Sequence, residues 1–405
     1  MADSTNAVGD VALAIDGVRL ATAAGGIRYR DRDDLALIEI AAGASVAAVF
    51  TRNAFCAAPV LVAREHLRSA SARYLLINSG NANAGTGEQG LAAARRCCEL
   101  VAAATGTHAE QTLPFSTGVI GAQLPLAPFE RGVPKLVAAL DADAWPAVAR
   151  AIMTTDTVMK LRSASVQIGA DTVSAIGIAK GAGMIRPDMA TMLAYVATDA
   201  ALSPELAQRC LDDCVAESFN SITVDGDTST NDACVLIATG RDNPIVSTDD
   251  PRYAKVYALI AAVCMELAQA IVRDAEGATH FVTIDVSGAR DQDEARRVAF
   301  TIAHSPLVKT ALSAGDPNWG RILAAVGRAG VVDLRIDRVA IRLGEHYVIR
   351  NGLPAAEYTE SAGQAALAGV DQFIGVELGL GEAHARVWTS DLTCDYVRIN
   401  ASYRS

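Results

Sequence analysis

The sequence predicts a mixed α/β protein in two parts, a larger N-terminal core and a smaller C-terminal α+β region. In the first part, short β-branched runs bounded by Gly, Asp and Asn alternate with helical segments rich in Ala and Leu. From about residue 285, two helical segments precede a series of strand-like runs, a pattern typical of a mostly antiparallel sheet. We therefore predict one domain over 1–284 and a second over 285–405.

The strands expected in the first part are short apolar runs that end at turn residues. They lie at 35–40 (LALIEI), 44–50 (ASVAAVF), 74–80 (YLLINSG) and 192–200 (MLAYVATDA). The segment 163–183 predicts a hairpin whose second strand runs into a Gly-rich turn.

The helices expected in the first part are set by their ends and by apolar spacing. Gly106 ends a helix over 87–106, and prolines at 134 and 146 divide 127–153 into two helices. Ser203 is an expected N-cap with Pro204 in the first turn. A long helix over 250–277 carries its apolar residues on one stripe.

In the second part, a charged helix over 291–304 and a shorter helix over 320–328 come first. Six strand-like runs accompany them: VVDLRID (331–337), VAIRLG (339–344), YVIRNG (347–352), FIGVELGLG (373–381), ARVWTSDL (385–392) and DYVRINA (395–401). Asp316 is expected to cap the helix that follows it.

Composition excludes some classes of function. With 405 residues and 51% apolar residues, the chain can bury a large core without disulfides or metals. A formal net charge of -11 offers no basic footprint for nucleic acid and no polybasic segment for anionic lipid. The N-terminus lacks the pattern of a secretory signal, and no apolar run reaches the length of a membrane span, about 18 residues. These observations predict a cytoplasmic protein with no nucleic-acid or membrane partner.

The eight cysteines include a helix-spaced pair, Cys210 and Cys214, that could share a metal. The sequence has no second Cys or His pair at ligand spacing, and its six histidines are scattered singly. We therefore expect buried, reduced thiols and no metal site.

The segment KGAGMIRPDMATML (180–193) carries the most chemical information. It combines a lysine, glycines that permit close backbone approach, a proline that fixes a turn, and Ala190 directly before Thr191. This arrangement suits an N-to-O acyl shift, in which the Thr191 hydroxyl attacks the carbonyl of Ala190 and water hydrolyses the resulting ester. The product is a new chain that begins with Thr191.

The new α-amine would have a pKa near 7.7–8.0, against about 10.4 for a lysine side chain, so it can serve as the base for its own hydroxyl. Considered alone, however, a threonine at the start of a strand is far more often an ordinary strand residue. The rest of the sequence changes that balance.

KGAGMIRPDMATML closely resembles the self-cleavage signature of the ornithine acetyltransferase family, the glutamate N-acetyltransferases of arginine biosynthesis. Further segments also resemble that family, in order along the chain: INSGNANAGTG (77–87), STGVIG (116–121), IMTTDT (152–157), SFNSITVDGDTSTND (218–232), DAEGATHF (274–281), GDPNWGRI (315–322) and YVRINASYRS (396–405). The first 20 or so residues look divergent.

The resemblance implies a site. Cleavage falls between Ala190 and Thr191, which gives an alpha chain of 1–190 and a beta chain of 191–405. Thr117 would supply a hydroxyl, and Gly118 a backbone N–H, to an oxyanion hole. The residues implied to bind substrate are Thr154 (with Thr155 as the alternative), Lys180, Thr191, Glu276, Asn400 and Ser405.

The resemblance also implies a fold and a reaction. The fold is a layered αββα core like that of N-terminal-nucleophile and aminopeptidase-esterase proteins, with a smaller C-terminal domain whose tail returns to the site. The reaction is ping-pong: Thr191 takes the acetyl group of N2-acetylornithine, ornithine leaves, and glutamate accepts the acetyl group. No metal or cofactor is required, acetyl-CoA is left open as a co-substrate, and the fragments are expected to assemble as two alpha and two beta chains.

Two alternatives remain open at this point. A self-processing aminopeptidase or amidase, similar to the L-aminopeptidase/D-esterase family, would use water as the acyl acceptor. A non-enzymatic small-molecule-binding protein would retain the architecture without processing.

Overall fold

The computed structural model describes residues 8–9, 13–186 and 192–402. Within them the chain forms two compact units. The first runs to Asn220 and resumes over Asp227–Ile271, and the second comprises Ser221–Gly226 and the chain from Val272 onward. The division predicted after residue 284 falls inside a strand of the second unit, Phe281–Ala289.

The first unit alternates strands and helices as the sequence pattern predicts. Its strands are β1 (Val18–Ala23), β2 (Leu35–Ile40), β3 (Ser45–Phe50), β4 (Tyr74–Asn81), β5 (Thr112–Val119), β6 (Lys160–Ile168), β7 (Asp171–Lys180), β8 (Leu193–Thr198) and β9 (Ala233–Ala238). Its helices are α1 (Ala58–Ser69), α2 (Gly87–Thr105), α3 (Ala127–Ala138), α4 (Trp145–Ala151), α5 (Pro204–Glu217) and α6 (Tyr253–Arg273).

Local signals account for many of these boundaries. Gly106 ends α2 with a φ of +71°, which costs glycine no Cβ clash. The Ser203 side chain accepts a hydrogen bond from the Leu206 N–H and so caps α5. Two helices do occupy 127–153, but Pro134 lies inside α3, and the break between the helices comes after Ala138.

The strands of the first unit form two sheets. One has the order β1-β2-β4-β5, in which only β4 and β5 are parallel. The other has the order β3-β9-β8-β7-β6, in which only β8 and β9 are parallel. Side chains from both sheets, together with Trp145 and Val148 of α4, share one buried apolar cluster. The two sheets therefore pack face to face.

Helices cover the outer faces of both sheets. Phe129 and Val133 of α3 and Cys97 of α2 cluster with the outward residues Leu35 and Leu37 of β2. Against the second sheet, the Gln208 side chain of α5 exchanges hydrogen bonds with the backbone of Ala48. Helix α6 lies so close to β7 that a Cβ added at Gly177 would be 2.7 Å from the Leu267 side chain. The predicted αββα layering is confirmed.

The second unit is an α+β domain with a mostly antiparallel sheet, as predicted. Its strands are β10 (Phe281–Ala289), β11 (Ala340–Leu343), β12 (His346–Arg350), β13 (Leu353–Pro354), β14 (Asp371–Glu377) and β15 (Ala383–Ser390), in the order β13-β12-β11-β14-β10-β15. Only β10 and β14 are parallel. Its helices are α7 (Gln292–Ala303), α8 (Pro306–Ser313), α9 (Trp319–Gly327), α10 (Glu360–Ala366) and α11 (Cys394–Ser402).

Three predictions for the second unit are wrong. The run 331–337 is not a strand; it forms turns and the start of a single 3₁₀ turn, Ile336–Arg338. The run 395–401 lies in α11, because the Thr393 hydroxyl accepts from the N–H groups of Asp395 and Tyr396 and so starts a helix. Asn318, not Asp316, caps α9 through a hydrogen bond from the Arg321 N–H.

By length and composition α6 would also qualify as a membrane span, with a mean hydropathy of 1.7. Of that apolar window, 56% is buried inside the fold, as in the core helix of a soluble protein. Its packing against β7 accounts for the apolar stripe that the sequence displays.

Candidate active site

The first part of the site is the oxyanion loop, Thr117 and Gly118 at the carboxyl end of β5, which lies beside the carboxyl end of the parallel strand β4. Gly118 lies opposite Gly80, and its φ is +134°. A Cβ added at Gly118 would lie 2.3 Å from the Gly80 carbonyl carbon, so only glycine permits this approach of the two backbones. The position of Thr117, 8% exposed, is thereby set by the neighbouring strand.

Lys180 comes from the second sheet, at the end of β7, and reaches the same loop. Its Nζ donates a hydrogen bond to the Thr117 hydroxyl oxygen at 3.1 Å. In the sheet Lys180 pairs with Leu193, the first residue of β8. Two residues predicted from distant motifs therefore meet, at the edge where the strand that follows Thr191 begins.

The predicted nucleophile Thr191 and its neighbour Ala190 lie outside the described residues, and so does Ser405. The described chain resumes at Met192, whose carbonyl accepts from the Ala233 N–H at 3.0 Å. This bond belongs to the parallel pairing of β8 and β9.

A buried ion pair lies beside Lys180. The Asp156 carboxylate accepts from Lys160 Nζ at 2.7 Å, from the Gly181 N–H at 2.6 Å and from the Thr154 N–H at 3.0 Å. Burial acts to raise the pKa of Asp156, but the charges of Lys160 and Lys180 and these hydrogen bonds outweigh it and lower the pKa to about 2. Asp156 is therefore ionised at neutral pH.

A second acidic group near Lys180 has the opposite character. Asp232 precedes β9 and is 5% exposed, and its Oδ2 has no hydrogen-bond partner. Burial raises the pKa of its carboxyl well above the usual range, although the Lys180 charge and hydrogen bonds from Ser229 and the Met192 backbone act to lower it. One carboxyl beside Lys180 thus favours the charged form and the other the neutral form.

Thr154 joins this cluster through its backbone, which donates to Asp156. Both Thr154 and Thr155 are half-buried, so the prediction that Thr154 is the one that contacts substrate remains a prediction. Asp156 and Asp232 are not among the functional residues predicted from the sequence. The signal that points to them is their position within the segments 152–157 and 218–232, which resemble the family.

In the second unit, two further predicted residues contact each other. Asn400 of α11 donates from Nδ2 to Glu276 Oε2 at 2.8 Å. Glu276 lies near the start of the second unit's chain and Asn400 lies near its end. Residues 394–402 form α11, and this helix brings the Asn400 amide to the Glu276 carboxylate. The Glu276 carboxylate can form an ion pair with an ammonium group of a ligand.

Among the described residues, no group of three or more His, Cys, Asp or Glu side chains is arranged to hold a metal ion. Cys210 and Cys214 are buried free thiols in α5. A hydrogen bond with Cys214, together with burial, raises the pKa of Cys210. For Cys214, the hydrogen bond with Cys210 acts to lower the pKa, but a hydrogen bond with Cys264 and burial outweigh it and raise the pKa.

Taken together, the groups in the first unit suit acyl transfer. The Thr117 hydroxyl and the Gly118 backbone N–H are adjacent at the end of β5, and hydrogen-bond donors of these kinds stabilise the oxyanion in acyl transfer. Lys180 supplies a cation beside these groups, and a cation suits a substrate with a carboxylate.

Comparison with known proteins agrees with the family resemblance of the sequence motifs. The model of the ArgJ family matches residues 19–405. The chain is 57% identical over 392 residues to the arginine biosynthesis bifunctional protein ArgJ of Methylococcus capsulatus, with 96% of each chain covered. It is 50% identical over 393 residues to the protein of the same name from Pseudomonas fluorescens, covering 96% of this chain and 97% of that relative.

Among solved structures, the chain is similar to the arginine biosynthesis bifunctional protein ArgJ of Bacillus halodurans. The identity is 40% and the TM-score 0.50, and the match covers 53% of this chain and 100% of that one.

Proposed function

The chain belongs to the ArgJ family and is an acetyltransferase of arginine biosynthesis, and we propose that it moves the acetyl group of N2-acetylornithine to glutamate through an acetyl-Thr191 ester. The observation that carries this proposal is the hydrogen bond from Lys180 Nζ to the Thr117 hydroxyl. It joins a carboxylate-binding cation to the proposed oxyanion loop, at the sheet edge where the strand after Thr191 starts.

The nucleophile is generated by self-cleavage. The Thr191 hydroxyl attacks the carbonyl carbon of Ala190, the C–N bond breaks, and the hydroxyl proton passes to the departing nitrogen. Water then hydrolyses the ester, leaving a carboxylate on Ala190 and a free α-amine on Thr191. The match to the Bacillus halodurans chain supports this proposal, because it spans 53% of 405 residues, about 215, the length of a 191–405 fragment.

Acetyl transfer then proceeds in two halves. The α-amine of Thr191 removes the hydroxyl proton, the alkoxide attacks the acetyl carbon, and Thr117 and Gly118 stabilise the anionic oxygen. The amide bond breaks, and ornithine leaves as its nitrogen takes up the proton. In the second half the neutral amine of glutamate attacks the acetyl ester, and Thr191 is released as the hydroxyl.

Charged groups of the enzyme recognise the charged groups of the two substrates. Lys180, Asn400 and Ser405 recognise the amino-acid backbone common to ornithine and glutamate, with Lys180 at its α-carboxylate and Thr154 alongside. Glu276 acts on the ornithine half, where the side-chain ammonium distinguishes the substrate. The reaction needs no metal or cofactor, and acetyl-CoA is a second donor to be tested. The working form is a cytoplasmic assembly of two alpha and two beta chains.

The decisive experiment compares the wild type with Thr191→Ala. The wild type should yield two fragments, 1–190 and 191–405, on intact mass measurement under denaturing conditions. The variant should stay one chain, fold, and lack acetyl transfer, because the change removes the attacking hydroxyl and leaves little cavity. A single uncleaved species in an active wild-type preparation would refute the processing step.

A second measurement separates the transferase from a hydrolase. The enzyme is incubated with N2-acetylornithine, with and without glutamate, and ornithine, acetate and N-acetylglutamate are followed. A ping-pong transferase releases at most about one equivalent of ornithine without glutamate, then forms N-acetylglutamate when glutamate is added. Rapid acetate release that ignores glutamate would identify a hydrolase. Replacing the donor with acetyl-CoA in the same assay tests the second donor.

A further inference from the structure

Asn231 is a buried amide that connects the two sheets of the first unit. It immediately precedes Asp232 and β9 of the second sheet and is 5% exposed. Its Nδ2 donates to the carbonyl oxygen of Ala82 at 2.6 Å and to that of Ser116 at 2.9 Å. Both acceptors belong to the chain at the ends of β4 and β5 in the first sheet.

The orientation of this amide is set by its neighbour. The Thr230 hydroxyl donates to Asn231 Oδ1 at 2.6 Å. With its oxygen engaged in this way, the amide directs its two N–H groups to the two carbonyls.

The two acceptors flank the oxyanion loop. Ser116 directly precedes Thr117 and Gly118, and the Ala82 N–H donates to the Val119 carbonyl on the other side of that pair. Asn231 therefore binds the chain on both sides of the oxyanion loop, at the Ser116 carbonyl and at the Ala82 carbonyl. On its own side, Asn231 is two residues from Ala233, whose N–H binds the carbonyl of Met192, the neighbour of Thr191.

We propose that Asn231 is a positioning residue that sets the distance between the Thr117–Gly118 loop and the start of β8, the strand that follows Thr191 in the chain. This inference rests on the proposed function, which assigns the loop and Thr191 to the reaction. The loop lies at the end of β5 and β8 belongs to the other sheet, so contacts between the sheets, such as those of Asn231, act on their separation. A displacement of about 1 Å between reacting groups can lower a rate by roughly 100-fold.

The test uses Asn231→Ala and Thr230→Val, with Gln372→Ala as a matched control. Gln372 is also a buried amide that donates to two backbone carbonyls, those of Leu367 and Leu312, but it lies in the second unit. Each variant is measured for thermal unfolding, for the rate at which the two fragments form, and for kcat and KM. Thr230→Val releases the amide without removing it, so it remains informative if Asn231→Ala does not fold.

We expect Asn231→Ala and Gln372→Ala to be destabilised alike. Asn231→Ala should lower kcat by about 10- to 100-fold and slow fragment formation, with KM changed less than about threefold. Thr230→Val should shift kcat in the same direction by a smaller factor, whereas Gln372→Ala should keep kcat within about twofold. If neither Asn231→Ala nor Thr230→Val lowers kcat more than the control does, the inference is overturned.

A Thr117→Ala variant separates this inference from the proposed function. If Thr117→Ala leaves kcat unchanged, the assignment of the oxyanion loop fails, whatever Asn231 does. If Thr117→Ala lowers kcat and the Asn231 variants do not, the loop stands and only the positioning role fails. In the double variant the Asn231 effect should shrink, because part of the group that it positions is gone.

Discussion

Lys180 donates from Nζ to the hydroxyl oxygen of Thr117, 3.1 Å away, although 63 residues separate them in the chain. The cation that would hold a substrate carboxylate thus also contacts a hydroxyl that would donate a hydrogen bond to the oxyanion formed during acyl transfer. Lys180 also interacts electrostatically with Asp156, whose pKa is lowered to about 2, and with Asp232, whose pKa is raised well above its usual range by burial. The charge of the site therefore depends on how these two carboxyls divide between their forms.

Replacing Lys180 by Met should weaken binding of both substrates. The change removes a charge-assisted hydrogen bond worth about 1.5–3 kcal/mol, so KM for N2-acetylornithine and for glutamate should each rise roughly 10- to 100-fold. Steady-state kinetics checks this on cleaved enzyme, with the exposed Lys135→Met as the control. A rise in KM for only one substrate would contradict a shared carboxylate site.

Asp156 should make stability fall in acid. Its pKa is lowered to about 2 in the fold, against 3.8 as the ordinary value. A lowered pKa gives stability that is present above the unfolded pKa and is lost as the pH falls from about 4 to 2, here about 2 kcal/mol. Urea unfolding between pH 2 and 7 measures it.

In Asp156→Asn that pH dependence should be reduced by the same amount. At pH 7 the variant should lose about 3–5 kcal/mol, because Lys160 is left buried without its partner. Asp371→Asn, which removes an exposed partner of Arg273, serves as the control and should cost no more than about 1 kcal/mol. Equal losses in both variants would argue against a buried pair.

Asp232 should act in the opposite direction. Because its pKa is raised in the fold, the stability linked to it is fully present below the unfolded pKa, near 4, and is lost as the pH rises towards the folded value. Asp232→Asn replaces the carboxyl by an uncharged group of the same shape. Its free energy of unfolding should therefore fall less than that of the wild type between pH 5 and 8 in urea titrations. A variant whose stability drops more steeply over that range would show that Asp232 is charged in the fold.

Glu276→Gln should affect one half-reaction more than the other. Only the ornithine side chain carries an ammonium, so KM for N2-acetylornithine and product inhibition by ornithine should both change, while KM for glutamate should stay within about threefold. The expected rise in the first KM is roughly tenfold or more, the usual value of a charge-assisted hydrogen bond. Glu345→Gln, which alters a carboxylate that is 94% exposed, is the control. Equal effects on both substrates would remove Glu276 from the ornithine site.

The sequence was sufficient for features that depend on neighbouring residues. The Ser203 cap, the Gly106 helix end and the β6–β7 hairpin are local, because backbone conformation and hydrogen bonding within one or two turns determine them. Predictions from the sequence were wrong where a local pattern is compatible with more than one secondary structure. The residues 395–401 alternate like a strand, but capping by Thr393 makes them helical.

The sequence by itself determined the family, the αββα layering through that resemblance, and the segment that carries Thr191. Only the tertiary structure decided which groups surround Lys180. Asp156, Asp232 and Asn231 look like ordinary polar residues in the chain, and their burial depends on which strand ends meet when two sheets pack. The role of a charged or amide side chain depends on whether its surroundings exclude water and on which groups form hydrogen bonds or ion pairs with it. The neighbouring residues in the sequence determine neither of these.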